Sequence, residues 1–176
     1  RLRSRGLGDV YKRQMYQYAL PILNERAGTG NPFFSVLLSI SNHPPYVIPP
    51  YFHPHSDVLE EQIVEYADWS IRQFMQAAEK QPWFDNTIFV FLGDYGKMVG
   101  TPECEMPQSY NHIPLMIYGK DIKPGVYDGF GGQVDVSPTL LGLLNISYLQ
   151  NNFGVNLLEE ERPCMFFTAD NLIGAR

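Results

Sequence analysis

Four polar residues have side chains that could carry out chemistry, and each lies next to an apolar run. These residues are Asn42, His43, Asp94 and His112. A carboxylate oxygen is a preferred ligand of hard cations, and an imidazole near neutral pH can donate to an anionic oxygen or take up a proton. Polar groups that converge on one edge of a sheet form the usual arrangement of a binding site. We therefore expect a site for a cation and an anionic substrate, although a loop histidine bonded to backbone and a turn aspartate are the plain alternatives.

Three apolar runs predict the strands that would position these side chains. They cover residues 33–40, 87–92 and 113–118. The second run, Thr87 to Leu92, is apolar or β-branched without alternation, which is typical of a strand buried on both faces of a parallel sheet. Asp94 then lies at the carboxyl end of the strand, where open α/β sheets place their ligands. Gly93 and Gly96 allow a turn and the close approach of a ligand.

Helical spacing of apolar residues predicts one long helix between the first two strands. It begins at Asp57, which could cap the first turn with Glu60 completing a capping box, and ends at about Lys80. Strand, loop, helix and strand in this order are typical of a crossover between parallel strands, and hence of an α/β fold. The other predicted elements are a helix over 15–27, a helix that Ser137 caps, and a strand over 164–168.

Composition indicates a globular protein and excludes one class of partner. The chain has 176 residues, 44% of them hydrophobic, and a net charge of −6. No basic cluster lies in the part expected to fold, so we expect no nucleic-acid partner. Residues 1–14 are basic and aperiodic, and we interpret them as a non-native tail such as a translated sequencing adapter, with a native basic arm as the alternative. Residues 15–176 then form part of a single domain. Cys104 and Cys164 are either inert thiols or an extracytoplasmic disulfide.

Five motifs in order carry a resemblance to a known family. They are SNHPPY at 41–46, EYADWSIRQFM at 65–75, WFDNTIFVFLGDYG at 83–96, SYNHIPLMIY at 109–118 and QVDVSPTLLGLLNI at 133–146. Together they resemble the carboxyl-terminal half of the sulfatase-like catalytic domain of the alkaline phosphatase superfamily, in particular its lipoteichoic acid synthase-like branch. The resemblance implies an incomplete α/β fold with a mixed, mostly parallel sheet sandwiched by helices.

The resemblance also implies an activity and roles for individual residues. The family moves a phosphoryl, phosphoglycerol or sulfuryl group with the help of one or two divalent cations, Mn, Mg, Ca or Zn. Asp94 would be a metal ligand. His43 would be catalytic, binding the anionic oxygen of the substrate or assisting the leaving group. Asn42 would line the same anion site, and His112 would line it or touch a second metal. The substrate would be a phosphate or sulfate ester on a lipid headgroup or glycan, handled outside the cytoplasm by a parent protein anchored in a membrane.

Two departures from the family pattern lower the activity expected of this chain. Tyr95 stands where the family has a metal-binding histidine, and a protonated phenol is a poor replacement at neutral pH. No segment matches the amino-terminal half of the family domain, which supplies the nucleophile. We therefore expect a fragment with little or no turnover. A non-catalytic relative that binds an anionic glycan or lipid headgroup is the alternative.

Overall fold

The computed structural model describes residues 11–39, 44, 46–96, 101, 104, 111–169 and 172–176. Asn42 and His43 lie outside the described residues, as does most of the segment between Gly96 and Asn111. The chain divides into two compact units, residues 1–88 and residues 89–176. Among the described residues, no helix is long and apolar enough to cross a bilayer.

The first unit is built on two helices, α1 (Tyr11–Gly28) and α2 (Leu59–Ala78). They pack against each other through the rings of Tyr16 and Phe74, whose centroids are 5.1 Å apart. The buried apolar residues of this unit, among the described ones, are Ala19, Leu23, Pro49, Ile63, Tyr66, Phe74 and Ala78. Both predicted helices are confirmed, and α1 also includes the last four residues of the predicted tail. A short 3-10 helix, Phe84–Asn86, follows α2.

The predicted cap of α2 is wrong. Val58, not Asp57, occupies the N-cap position, and it makes no side-chain capping bond. The Ser56 hydroxyl instead accepts the Val58 amide at 3.0 Å, while Glu65 accepts the amides of His55 and Ser56 at 2.7 and 3.0 Å. Glu65 lies two turns into α2. The loop before the helix is therefore bound to the side of the helix and not to its first turn.

The strand predicted over residues 33–40 is not formed by its described part, residues 33–39. Phe34, Val36 and Leu38 are 85%, 70% and 77% exposed. A strand needs a neighbour to pair its backbone groups. No described strand pairs with this segment, and its apolar side chains therefore remain in contact with solvent.

The second unit contains two antiparallel strand pairs. Strand β1 (Phe89–Leu92) pairs with β2 (Leu115–Tyr118), from Phe89 opposite Tyr118 to Leu92 opposite Leu115. Strand β3 (Phe166–Ala169) overlaps the strand predicted over 164–168, and it pairs with β4 (Leu172–Ala175), a strand that the sequence did not predict. Both described pairs are antiparallel, so the predicted parallel crossover from residues 33–40 to β1 is not present among the described strands.

Helix α3 (Gln133–Leu143) begins five residues earlier than predicted. Gly132, not Ser137, is its N-cap residue, and Pro138 lies within the helix. The Gly132 amide donates to the Asp135 carboxylate at 2.8 Å, and the Asp135 amide donates back to the Gly132 carbonyl at 2.9 Å. This reciprocal capping starts the helix at a residue with no side chain. Cys104 and Cys164 are both free thiols, so the disulfide alternative is not formed.

Candidate functional site

The β1–β2 register brings the end of β1 and the start of β2 to the same edge of the sheet. Leu92 lies opposite Leu115, and the Gly93 amide donates to the Pro114 carbonyl at 3.3 Å, which continues the pairing by one residue. Counting on in the same register puts Asp94 and Tyr95 across from residues 113 and 112. Antiparallel pairing therefore places the residues after β1 and the residues before β2 at the same edge, and a shared site of Asp94 and His112 stays a prediction.

Gly93 lies close to the residues that precede β2. A Cβ atom at this position would lie 3.2 Å from the Ile113 Cβ and 3.4 Å from its Cγ2. Such contacts are tighter than ordinary packing, so the glycine lets the two chains approach closely where the site begins. The close approach that we predicted for a ligand is here made by Ile113.

The Asp94 side chain is exposed, and one of its oxygens is engaged. Its Oδ1 accepts the Tyr95 amide at 3.0 Å. Within the described part of the chain, the second carboxylate oxygen has no hydrogen-bond partner, so it is available to a cation. The Tyr95 side chain is 62% exposed. The two residues assigned to the metal by the resemblance thus lie side by side on an accessible surface.

The backbone around Asp94 is held by a residue that we had not predicted. Nε2 of Gln133 donates to the Gly93 carbonyl at 3.2 Å and to the Asp94 carbonyl at 2.9 Å. A side-chain amide carries two N–H groups, so one glutamine can serve both carbonyls. Gln133 is the first residue of α3 and therefore joins the start of that helix to the end of β1. No sequence pattern marks a glutamine for this role.

The start of α3 is itself fixed by a buried ion pair. Nε and Nη2 of Arg162 donate to the two oxygens of Asp135 at 2.7 and 2.6 Å. The side chain of Asp135 is fully buried, and that of Arg162 is 15% exposed. Burial alone raises the pKa of the Asp135 carboxyl, but the hydrogen bonds from Arg162, Gly132 and Val155 outweigh burial and hold that pKa below its usual value. The pair therefore stays ionised at neutral pH.

The segment after α3 completes this support. The Val155 amide donates to Asp135 Oδ1 at 2.8 Å, and the Leu157 amide donates to the Thr139 hydroxyl at 3.1 Å. Gly154 lies against the helix so closely that an added Cβ would collide with the Val134 carbonyl oxygen. The interactions extend from this segment through Asp135 and Gln133 to Asp94.

Asn111 and His112 supply donors of a different kind at the start of β2. The His112 side chain is exposed. The Nδ2 atom of Asn111 is buried and has no hydrogen-bond partner among the described residues. An amide nitrogen donates and cannot bind a cation, so this atom suits an anionic oxygen better than a metal.

The residues at this edge fit a divalent cation in part. Asp94 offers a free carboxylate oxygen next to Tyr95, and the imidazole of His112 is expected at the same edge. The described residues contain no group of three or more His, Cys, Asp or Glu side chains that could hold a metal ion. A complete coordination sphere would thus need donors from beyond them. Asn42 and His43 are not described, and their part in the site remains a prediction.

Comparisons with known proteins identify the family. The lipoteichoic acid synthase-like protein YvgJ of Bacillus subtilis is 28% identical over 74% of this chain and 25% of its own length. A protein of the alkaline phosphatase superfamily from Vibrio parahaemolyticus superposes with a TM-score of 0.84 at 25% identity, over 100% of this chain and 44% of that one. The lipoteichoic acid synthase LtaP of Listeria monocytogenes gives a TM-score of 0.74 at 25% identity, over 88% of this chain and 44% of its own.

These similarities confirm the predicted fold class, an incomplete α/β fold of the alkaline phosphatase and sulfatase type. The chain spans about a quarter of the length of the curated relatives that it matches. The sequence profile named Sulfatase matches residues 2–146, which is most of the chain. The chain therefore belongs to the Sulfatase family, as the five motifs predicted.

Proposed function

We propose that this chain is the carboxyl-terminal part of the catalytic domain of a longer protein, the parent protein, which is a metal-dependent enzyme acting on a phosphate or sulfate ester. The observation that carries the proposal is the accessible Asp94 carboxylate at the end of β1, on the edge where β2 begins. Ester-transferring enzymes need a cation and anion-binding donors at one place, because charge develops on the transferred group.

Each residue at the edge has a proposed role. Asp94, with Tyr95 beside it, binds the cation, for which Mn, Mg, Ca and Zn are the candidates. A bound divalent cation would neutralise negative charge on the transferred group. His112 and Asn42 donate to the anionic oxygens of the substrate, and His43 binds the same oxygens or assists the leaving group. The nucleophile comes from the part of the parent protein that precedes this chain.

The relatives favour one substrate class and one location for the parent protein. Several are lipoteichoic acid synthases by name, so we propose a phosphoglycerol-bearing lipid headgroup as substrate, with a glycan ester as the second choice. The parent protein would act outside the cytoplasm and be anchored in a membrane through segments beyond this chain. The fragment alone, lacking a nucleophile, is expected to show little or no turnover.

The test compares the parent protein with two asparagine variants. Asp94→Asn removes the proposed metal ligand, while Asp121→Asn changes an exposed aspartate away from the edge. With glycerophosphate diesters and aryl sulfates as probes, we expect Asp94→Asn to lower the rate on the preferred ester by at least about 100-fold and Asp121→Asn to leave it unchanged. Equal rates for Asp94→Asn and the wild type would refute the proposal.

A non-catalytic binder is the second candidate, and Tyr95 is the observation that favours it. An exposed tyrosine in place of a metal-binding residue suits contact with a sugar or headgroup. A parent protein that binds glycerophosphate-bearing vesicles but contains no metal and turns over neither probe would favour the binder. Turnover that is lost on chelation would exclude it.

A further inference from the structure

We propose that Gln133 is a positioning residue for Asp94. Its side-chain amide holds the backbone carbonyls of Gly93 and Asp94. By holding them it sets the direction in which the Asp94 carboxylate faces a divalent cation. This inference rests on the proposed function, because it takes Asp94 to be a metal ligand. It makes the cation affinity depend on Gln133, a residue that does not itself contact the cation.

The first step is the geometry of the contact. The two N–H groups of one amide reach consecutive carbonyls, of Gly93 at 3.2 Å and of Asp94 at 2.9 Å. These carbonyls belong to the two peptide units that flank the Asp94 Cα, so holding both restricts rotation of the backbone on each side of it. The amide of Gly93 is also held, by the Pro114 carbonyl at 3.3 Å.

The second step is the orientation of the carboxylate. Its Oδ1 accepts the Tyr95 amide at 3.0 Å, so the direction of the side chain follows the direction of the peptide after Asp94. That peptide carries the Asp94 carbonyl, which Gln133 holds. Two hydrogen bonds, from Gln133 to the Asp94 carbonyl and from the Tyr95 amide to Oδ1, therefore set the direction of the second carboxylate oxygen. That oxygen has no partner among the described residues.

The backbone that carries the exposed side chain of Gln133 is anchored. Gln133 is the first residue of α3, next to Gly132, whose amide donates to the buried carboxylate of Asp135. Arg162 holds that carboxylate with two charge-assisted hydrogen bonds and donates a third bond to the Phe153 carbonyl at 2.5 Å. The glutamine therefore extends from a fixed point, and outer contacts of this kind typically change metal affinity about 10- to 100-fold when removed.

The experiment uses two substitutions that keep the size of the side chain. Gln133→Glu retains the shape but has no N–H to donate, and Gln133→Leu removes donor and acceptor without adding charge. Gln76→Leu, on the exposed face of α2, is the matched control. Asp94→Asn is included in the same series because it tests the metal ligand itself. Mn²⁺ affinity is measured by calorimetry on the parent protein, and the melting temperature of each variant is measured alongside.

We expect both Gln133 variants to weaken Mn²⁺ binding at least about 10-fold with a nearly unchanged melting temperature, while Gln76→Leu binds like the wild type. Hydrogen exchange of the Tyr95 amide in the 176-residue chain should become faster in both Gln133 variants, because the peptide that positions its acceptor is released. Loss of Mn²⁺ binding in Asp94→Asn with wild-type affinity in both Gln133 variants would overturn this inference alone. Unchanged binding in Asp94→Asn would overturn the proposed function as well.

Discussion

At the scale of single residues, the donor atoms at the β1–β2 edge would decide how firmly the proposed cation is held. Asp94 contributes a carboxylate oxygen, but Tyr95 beside it contributes a phenol. A neutral imidazole is a far better ligand than a protonated phenol for Mn or Zn at neutral pH. The tyrosine therefore limits the proposed metal affinity.

The effect of Tyr95 on metal affinity is tested with the histidine variant, Tyr95→His. Because the side chain is 62% exposed, the substitution should fit without repacking. We expect tighter Mn²⁺ or Zn²⁺ binding by about 10-fold or more in the parent protein, measured by calorimetry. Tyr127→His, at another exposed tyrosine, serves as the control. Weaker or unchanged binding in Tyr95→His would show that this position does not face the cation.

At the scale of elements, the buried pair of Asp135 and Arg162 fixes the start of α3. The folded-state pKa of Asp135 lies below its unfolded value, which is about 3.9 for an aspartate. The pair therefore contributes stability that is fully present above that pH and is lost as the pH falls through the folded pKa. Removing Arg162 would leave a buried carboxylate without its charged partner.

We predict that Arg162→Met lowers the free energy of unfolding by about 3–5 kcal/mol at pH 7. The loss should shrink as the pH falls, because protonation of Asp135 removes the uncompensated charge. Urea unfolding of the 176-residue chain at several pH values measures both effects. Arg72→Met is the control, since Arg72 and Asp68 form an exposed pair at 3.7 Å that should be worth no more than about 1 kcal/mol. Equal losses in the two variants, or a loss independent of pH, would contradict the prediction.

The elements also show what could be predicted from the sequence. The amphipathic spacing of α2 predicted that helix correctly, and the apolar run 87–92 located strand β1. The same run wrongly predicted a strand buried on both faces, because β1 pairs only with β2 among the described strands and its residues are part-buried or exposed. The strand predicted over 33–40 is wrong for its described residues, 33–39, because strand formation depends on a pairing partner that no local pattern specifies. The start of α3 was missed because its cap comes from Asp135, whose role depends on Arg162, 27 residues away in the chain. Asp94 was found from its place after a strand, whereas Gln133 acts through contacts with residues about 40 positions earlier.

At the scale of the whole molecule, the exposed apolar segment 33–38 is the feature that stands out. Phe34, Val36 and Leu38 are each at least 70% exposed, in a stretch whose backbone is not paired in the described structure. Contiguous apolar surface with unpaired backbone favours association between chains. We therefore expect the isolated chain to self-associate through this segment.

The prediction is tested by sedimentation velocity at micromolar concentrations. The double variant Phe34→Lys and Leu38→Lys should shift the 176-residue chain toward monomer, because it breaks the apolar surface and adds charge. Leu149→Lys with Phe153→Lys, at two residues outside this segment that are 95% and 92% exposed, is the matched control and should have less effect. A wild-type chain that stays monomeric, or equal shifts for both double variants, would count against this role of residues 33–38.

The most direct test of the central claim is the metal content of the purified parent protein, measured by mass spectrometry of the elements. The account predicts at least one divalent cation per chain in the wild type and in Asp121→Asn, and its loss in Asp94→Asn. Wild-type metal content in Asp94→Asn would contradict the claim that the carboxylate at the end of β1 binds the cation.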